Sequence, residues 1–359
     1  MVCLDRPFIS PGSTRNHAVV PGSRRLTLEP QMADGNIVSI VDQSAHFLNR
    51  DHQQAPPGAV HGDVAWLGSE LTDPGLWIET LGPRLIAAFE VAMTAARETG
   101  RPLDALTIQD VDVAGQGPIL QRWCDTLTHG RGFLVLRGVP VGRWDLETQK
   151  LFMRVLGLQF GRLGYQNPQR DVIGEVRDTG AAQRDPYARL YATSGEFRFH
   201  CDASDLVGLL CIRPAATGGE SRFASSVSVY NELLRRRPDL AARLFRPMAF
   251  DLRNEQQPGA APVAHYAPCA YAEGVLKTFY LSDYFRTAAR HVTLPDADLE
   301  LLELYDQIAG EPGIGLSFFL QPGDVQILYN HTMLHARTAF QDAPGQERLL
   351  LRFLVSMGI

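Results

Sequence analysis

Apolar positions recur along this chain with two different periods, and the alternation between them lays out its elements. From Pro83 to Thr99 the residues Leu85, Phe89, Met93 and Ala96 fall on one stripe, which predicts an amphipathic helix. Ile119 to Leu127 predicts a second helix, stopped by His129-Gly130, and Leu146 to Leu156 a third. Short apolar runs bounded by turn residues predict strands at Gly132 to Gly138, Asp171 to Val176, Leu206 to Cys211 and Val325 to Tyr329. A last apolar run, Glu347 to Val355, is interrupted only by Arg348 and Arg352. Val229 to Leu244 and Pro295 to Ile308 read as helical insertions between strands. Residues 1–60 are weakly periodic and punctuated by Pro and Gly, which predicts an extended arm ahead of a single domain over 61–359. The stretch 177–196 has no period and carries Gly180, Pro186 and Gly195, so it reads as a loop able to act as a lid. This pattern alone suits a barrel with helical insertions or a mixed α+β domain equally well.

Composition narrows the function classes. A chain of 359 residues with 45% hydrophobic content can bury one large core or two modest ones. The net charge of −6 argues against a general nucleic-acid surface, which needs a basic excess. No run of 18 apolar residues suggests a membrane span, and Met1 to Gly22 lacks the apolar core of an export signal. Five irregularly spaced cysteines read as reduced thiols, which suits the cytoplasm. Lys150 and Lys277 are the only lysines, so an arginine is by itself weak evidence here. Two arginines inside an apolar strand are another matter.

Those arginines meet a second signal. His200 and Asp202 are two residues apart, and on extended backbone they share a face while Cys201 points away. Two imidazoles and one carboxylate on one face of a metal form the facial triad of non-haem Fe(II) oxygenases, with open positions for a co-substrate and oxygen. His335 and His331, four residues apart in one segment, compete for the third place. Arg348 and Arg352 are also four apart, so on a strand they share a face. A buried guanidinium costs several kcal/mol unless paired, so both imply anionic partners. A bound dicarboxylate would satisfy one of them bidentately.

Taken in order, His-x-Asp202, Gly-Gly-Glu-Ser221, Asn-x-x-x-Leu-His335-Ala-Arg-Thr-Ala-Phe and Arg348-x-x-x-Arg352 resemble the TauD/TfdA family of taurine-dioxygenase-like Fe(II)/2-oxoglutarate-dependent oxygenases. The resemblance runs from about residue 130 to the C-terminus. It implies a mainly β fold with helical insertions, whose double-stranded β-helix (jelly-roll) core is flanked by α-helices. It implies His200, Asp202 and His335 as iron ligands, which leaves His331 in a supporting position. Arg348 with Ser221 matches the grip on the far carboxylate of 2-oxoglutarate. Arg352 matches a position that in some members meets an anionic group of the substrate, and Tyr165, Gln166 and Asn167 are expected to border the substrate.

The implied activity uses Fe(II), 2-oxoglutarate and O2 to oxidise an unactivated C–H bond of a small, carboxylate-bearing or otherwise anionic molecule, releasing succinate and CO2. Hydroxylation is the default outcome, with desaturation or cyclisation as alternatives. Asp202 fills a coordination position that halogenases of this fold leave to chloride. A jelly roll holding another metal, or a binding protein without turnover, are the competing classes; succinate formation coupled to oxygen uptake separates them. The partner is a small molecule, with no nucleic acid and no membrane, and the oligomeric state is not legible.

Overall fold

The computed structural model describes residues 37–358, apart from 168, 181–191, 254–255 and 257–258. Among the described residues an eight-stranded sheet runs in the order Ile37–Val38, Arg162–Gly164, Leu349–Ser356, Leu206–Arg213, Val325–Tyr329, Phe133–Arg137 and Ile78–Thr80, with Gly174–Val176 also paired to Leu349–Ser356. A four-stranded sheet runs Leu316–Phe318, Ser221–Ser225, Met333–Arg337 and Phe197–His200. The fold is therefore a mixed, sheet-rich one with several helices. No described helix is long and apolar enough to cross a membrane.

Side-chain alternation explains how the layers assemble, because successive residues of a strand face opposite sides. Phe133 and Val135, Val207 and Leu209, and Leu350 and Leu354 face inward, into a core shared with Phe223 and Met333 of the smaller sheet. Phe133 meets Phe223 edge-on with ring centroids 5.4 Å apart, which ties the two sheets together. The intervening residues, among them Leu134, Leu210, Ile327 and Phe353, face outward against the helices Pro83–Glu98, Gly117–Thr128 and Leu146–Leu158. The predicted stripe of Leu85, Phe89, Met93 and Ala96 is the buried face of the first of these. The outer face of the smaller sheet, Ala224 and Leu334 included, is covered by the excursion between Ser226 and Gly310. On the strand Leu349–Ser356 the same alternation places Arg352 between Leu350 and Leu354 on the inward face.

Several elements depart from the pattern-based reading. The stretch read as an extended arm holds, from residue 37 on, a short strand and the helix Ile40–Leu48, in which Phe47 is fully buried. That helix is short and its neighbours are rich in Pro and Gly, so its periodicity is drowned locally. Residues 1–36, and the centre of the predicted lid, lie outside the described residues. The insertion read as one helix is broken at Pro238 into Ser226–Arg236 and Pro238–Arg243, because proline cannot continue a helix interior. The strand expected from Asp171 is confined to Gly174–Val176. His200 does not open the strand that follows it. It ends a separate strand, Phe197–His200, and Asp202 lies in the connection to Leu206–Arg213. Cys201, Cys211 and Cys269 are buried free thiols, as expected.

Candidate metal centre

The strands Phe197–His200 and Met333–Arg337 lie side by side, with His200 directly opposite His335 and Phe197 opposite Arg337. Two steps on one strand therefore face three on the other, a bulge that turns both Phe197 and His200 inward. Phe197 stacks on the His200 ring at 3.6 Å between centroids, which fixes the imidazole plane. The His200 and His335 rings are 4.1 Å apart, and His335 Nε2 lies 3.6 Å from Asp202 Oδ2. Donor atoms of His200, Asp202 and His335 all fall within 4.8 Å of one another, and no other described group of His, Cys, Asp or Glu does this.

The protonation pattern suits a metal. His200 Nδ1 is 2.8 Å from the Arg198 carbonyl, which can only accept, so Nδ1 carries the proton and Nε2 keeps its lone pair. Burial pushes the His200 pKa down. Burial and then the neighbouring His200 push that of His335 down to about 3. Neutral imidazoles are what metal binding requires. Asn330 holds the carboxylate's loop in place: its Oδ1 accepts from the Asp202 N–H at 3.1 Å, and its Nδ2 donates to the Ser204 carbonyl at 2.9 Å. Two imidazoles and one carboxylate fit a divalent first-row metal with open positions.

The cavity beside these donors is lined by Ser221, Gln326, Arg337, Arg348 and Arg352. Gly218 and Gly219, at φ +71° and +72°, make the turn that leads into Ser221–Ser225, and a Cβ on Gly218 would meet the Ala339 carbonyl oxygen at 2.1 Å. Ser221 Oγ donates to Gln326 Oε1 at 3.1 Å. Arg348 stands one residue before its strand, where the register with Leu206–Arg213 shifts. Its guanidinium is buried, its Nη1 has no hydrogen-bond partner, and no described carboxylate forms an ion pair with it. Burial pushes its pKa down to about 10. Arg337 shares the Phe340 ring with it, at 4.6 Å against 5.1 Å for Arg348, and donates to the Gly195 carbonyl. Sequence reading passed over Asn330, Gln326 and Arg337. Asn330 and Arg337 lie in the blocks that carried the resemblance, and Gln326 is the one polar residue inside an apolar strand.

The anionic partner expected for Arg352 comes from the chain itself. Arg352 Nη1 is 3.6 Å from Asp202 Oδ1, and its Nε donates to Gln166 Oε1 at 2.8 Å. Tyr165, Gln166 and Arg352 line a second cavity of about 250 Å³ that also reaches His200 and Asp202. Asn167 does not line it. Its side chain instead caps a turn, donating to Asp171 Oδ2 at 2.8 Å and accepting from the Asp171 N–H.

His331 is removed from the metal group by Asp205. His331 Nε2 lies 2.7 Å from Asp205 Oδ1, His46 Nε2 lies 3.0 Å from Asp205 Oδ2, and the Met357 N–H donates to that oxygen at 2.7 Å. Burial would raise the Asp205 pKa, but hydrogen bonds from His331 and His46 outweigh it and hold the carboxyl far below the usual range. Burial pushes His331 down, partly opposed by Asp205. Both folded-state values are depressed, so both contributions to stability are present at neutral pH and lost on acidification. The His331 part fades below about pH 6.5 and the Asp205 part below about pH 4. The melting temperature of the metal-free protein is therefore expected to fall steadily from pH 7 to pH 4. Asp205→Asn is expected to cost about 1.5–3 kcal/mol at pH 7, the worth of charge-assisted hydrogen bonds. A melting temperature that stays flat between pH 7 and pH 5 would contradict this account.

Comparison with known proteins places these features in context. The profile of the taurine catabolism dioxygenase TauD, TfdA family matches residues 99–354. The FR-33289 synthase of Streptomyces rubellomurinus is 29% identical over 306 residues, covering 83% of this chain and 90% of the relative. The taurine hydroxylase-like protein SAT17 of Stachybotrys chartarum is 27% identical over 321 residues, covering 86% and 82%. An asparagine oxygenase structure, in complex with Fe(II), 3-hydroxyasparagine and succinate, superposes with a TM-score of 0.63 at 17% identity, covering 79% of this chain and 94% of that one.

Proposed function

The chain belongs to the taurine catabolism dioxygenase TauD, TfdA family, and from that membership we propose that His200, Asp202 and His335 hold Fe(II) while Arg348 and Ser221 hold the far carboxylate of 2-oxoglutarate. The protein is an Fe(II)- and 2-oxoglutarate-dependent oxygenase. One observation carries the assignment of residues: three metal donors within 4.8 Å of one another share a cavity with a buried guanidinium that forms no ion pair with a carboxylate among the described residues. We read the two packed sheets as the double-stranded β-helix of the family, with the metal donors on inward-facing positions of the smaller sheet and in the loop that follows it.

Iron held by His200, Asp202 and His335, with 2-oxoglutarate and O2, would supply the oxidising chemistry, and succinate and CO2 would be the co-products. The chain's own residues decide which C–H bond is presented. His200 offers Nε2 because Arg198 claims its Nδ1 proton. Asn330 and Arg352 hold Asp202 from opposite ends, the first through its backbone N–H and the second through its carboxylate. Arg348 and Arg337 place positive charge at the far end of the cavity, where a carboxylate would be desolvated and gripped. Tyr165, Gln166 and Arg352 border the substrate, which is a small molecule by analogy with the ligand of the asparagine oxygenase.

Arg352→Gln separates the roles of that residue. A rise in substrate KM with an unchanged 2-oxoglutarate KM is expected if it faces the substrate; a selective rise in the 2-oxoglutarate KM would contradict this. The function itself is tested by screening amino acids, small carboxylic acids and biosynthetic intermediates for compounds that raise succinate release. No succinate from any mixture of Fe(II), 2-oxoglutarate, oxygen and candidate substrate would count against it.

A further inference from the structure

Gln326 is the one polar residue inside the strand Val325–Tyr329, and it lines the cavity beside the metal donors. Alternation turns Val325 and Ile327 outward against the helices, and Gln326 and Leu328 inward. The cross-strand neighbours of Gln326, Val135 and Leu209, are apolar members of the inner core. An amide set among them costs free energy unless its polar atoms find partners.

One end of the amide is satisfied from the facing sheet. Ser221 Oγ donates to Gln326 Oε1 at 3.1 Å, a bond that spans the two sheets and sets which way the amide points. The other end is open. Gln326 Nε2 donates to no described residue, yet its neighbours do not seal it off. The side chain is only 4% exposed and lines the cavity of Ser221, Arg337 and Arg348, so the free N–H faces that cavity. It takes no part in the second cavity, beside Tyr165 and Gln166.

The same bond limits Ser221. A hydroxyl has a single proton to donate, and here it goes to Gln326. A carboxylate only accepts hydrogen bonds, so a serine with its proton committed would offer it nothing but lone pairs. The neutral donor that this pair presents to an anion is therefore the Gln326 N–H, in the cavity that the Arg348 guanidinium also lines.

We propose that Gln326 binds the co-substrate, its Nε2 donating to the far carboxylate of 2-oxoglutarate, and that Ser221 is a positioning residue whose share of the grip is exerted through Gln326. The assignment rests on the oxygenase reading and adds an amide donor to the Arg348 guanidinium.

The test uses the full chain loaded with Fe(II) without oxygen. Calorimetry measures 2-oxoglutarate affinity, and iron content is measured after desalting. Gln326→Met keeps the length of the side chain and removes the donor. It is expected to weaken 2-oxoglutarate binding about ten- to a hundredfold, the worth of a hydrogen bond to a charged group, with iron content unchanged. Ser221→Ala leaves the N–H in place and should lose less, and Ser221→Thr, which keeps the hydroxyl, should recover the wild-type affinity. Unchanged affinity in Gln326→Met, or a larger loss in Ser221→Ala than in Gln326→Met, would return the carboxylate to the Ser221 hydroxyl and overturn the proposal. Loss of iron from both Gln326→Met and Gln326→Leu would make the residue structural and overturn it as well. A wild type that binds Fe(II) but no 2-oxoglutarate would overturn the oxygenase reading itself, so the two failures are distinguishable.

Discussion

Replacing Arg348 with methionine is expected to abolish productive 2-oxoglutarate binding while raising the melting temperature of the free protein. The two effects share one cause. The Arg348 guanidinium is buried with an unpartnered Nη1 and no carboxylate ion pair among the described residues. Its pKa is pushed down to about 10, yet it stays charged at neutral pH. A buried, uncompensated charge destabilises a fold, and an apolar side chain of similar length often relieves that cost by about 1–4 kcal/mol. When the dicarboxylate is present the balance reverses, because removing one member of a buried ion pair costs about 3–5 kcal/mol. At ~1.4 kcal/mol per decade this is a loss of roughly two to four decades in 2-oxoglutarate affinity. Arg348→Lys should recover only part of it, since an ammonium lacks the bidentate fork. Calorimetry with 2-oxoglutarate and thermal melts of the metal-free protein check both halves. Unchanged affinity in Arg348→Met would remove the residue from the co-substrate site.

Asp202→Ala is expected to lower succinate release by at least about a thousandfold, because losing a metal ligand forfeits several kcal/mol of metal-dependent stabilisation. A second consequence is specific to this chain. Asp202 also lies 3.6 Å from the Arg352 guanidinium, so the alanine variant leaves less negative charge beside it. Asp202→Asn should fail as a metal ligand but disturb the Arg352–Gln166 arrangement less. Iron content measured after desalting is expected to fall in both variants. Full iron occupancy in either would displace Asp202 from the ligand set.

The sequence was most legible where chemistry and pattern coincide. The strand carrying Arg352 was visible because a polar residue inside an apolar run demands a reason, whereas Met333–Arg337, the strand carrying His335, was not predicted and its histidine was reached only through the motif around it. The helix Pro83–Glu98 was visible because its stripe is regular. The helix Ile40–Leu48 was not, since nine residues flanked by loops give too few turns for a period to emerge. Yet it supplies His46, whose role depends entirely on what packs against it. Spacing leaves His335 and His331 open; in the fold Asp205, 126 positions away, takes His331 as its partner, while His335 stands with His200 and Asp202. Arg352 shows the same limit. Nothing near Arg352 in sequence points to Asp202, because the fold brings together two residues 150 positions apart. Long-range pairing of this kind is what local patterns do not encode.

Iron and 2-oxoglutarate are proposed to meet at His200, Asp202 and His335. Anaerobic addition of Fe(II) and then 2-oxoglutarate, followed by visible absorption spectroscopy, tests it directly. The wild type is expected to develop a charge-transfer absorption when 2-oxoglutarate chelates the metal, saturating at about one iron per chain, the single site the triad provides. His331→Ala should develop the same absorption, since Asp205 and not iron holds that ring. His335→Ala should develop none. Absorption retained in His335→Ala and lost in His331→Ala would place the metal elsewhere and contradict the account.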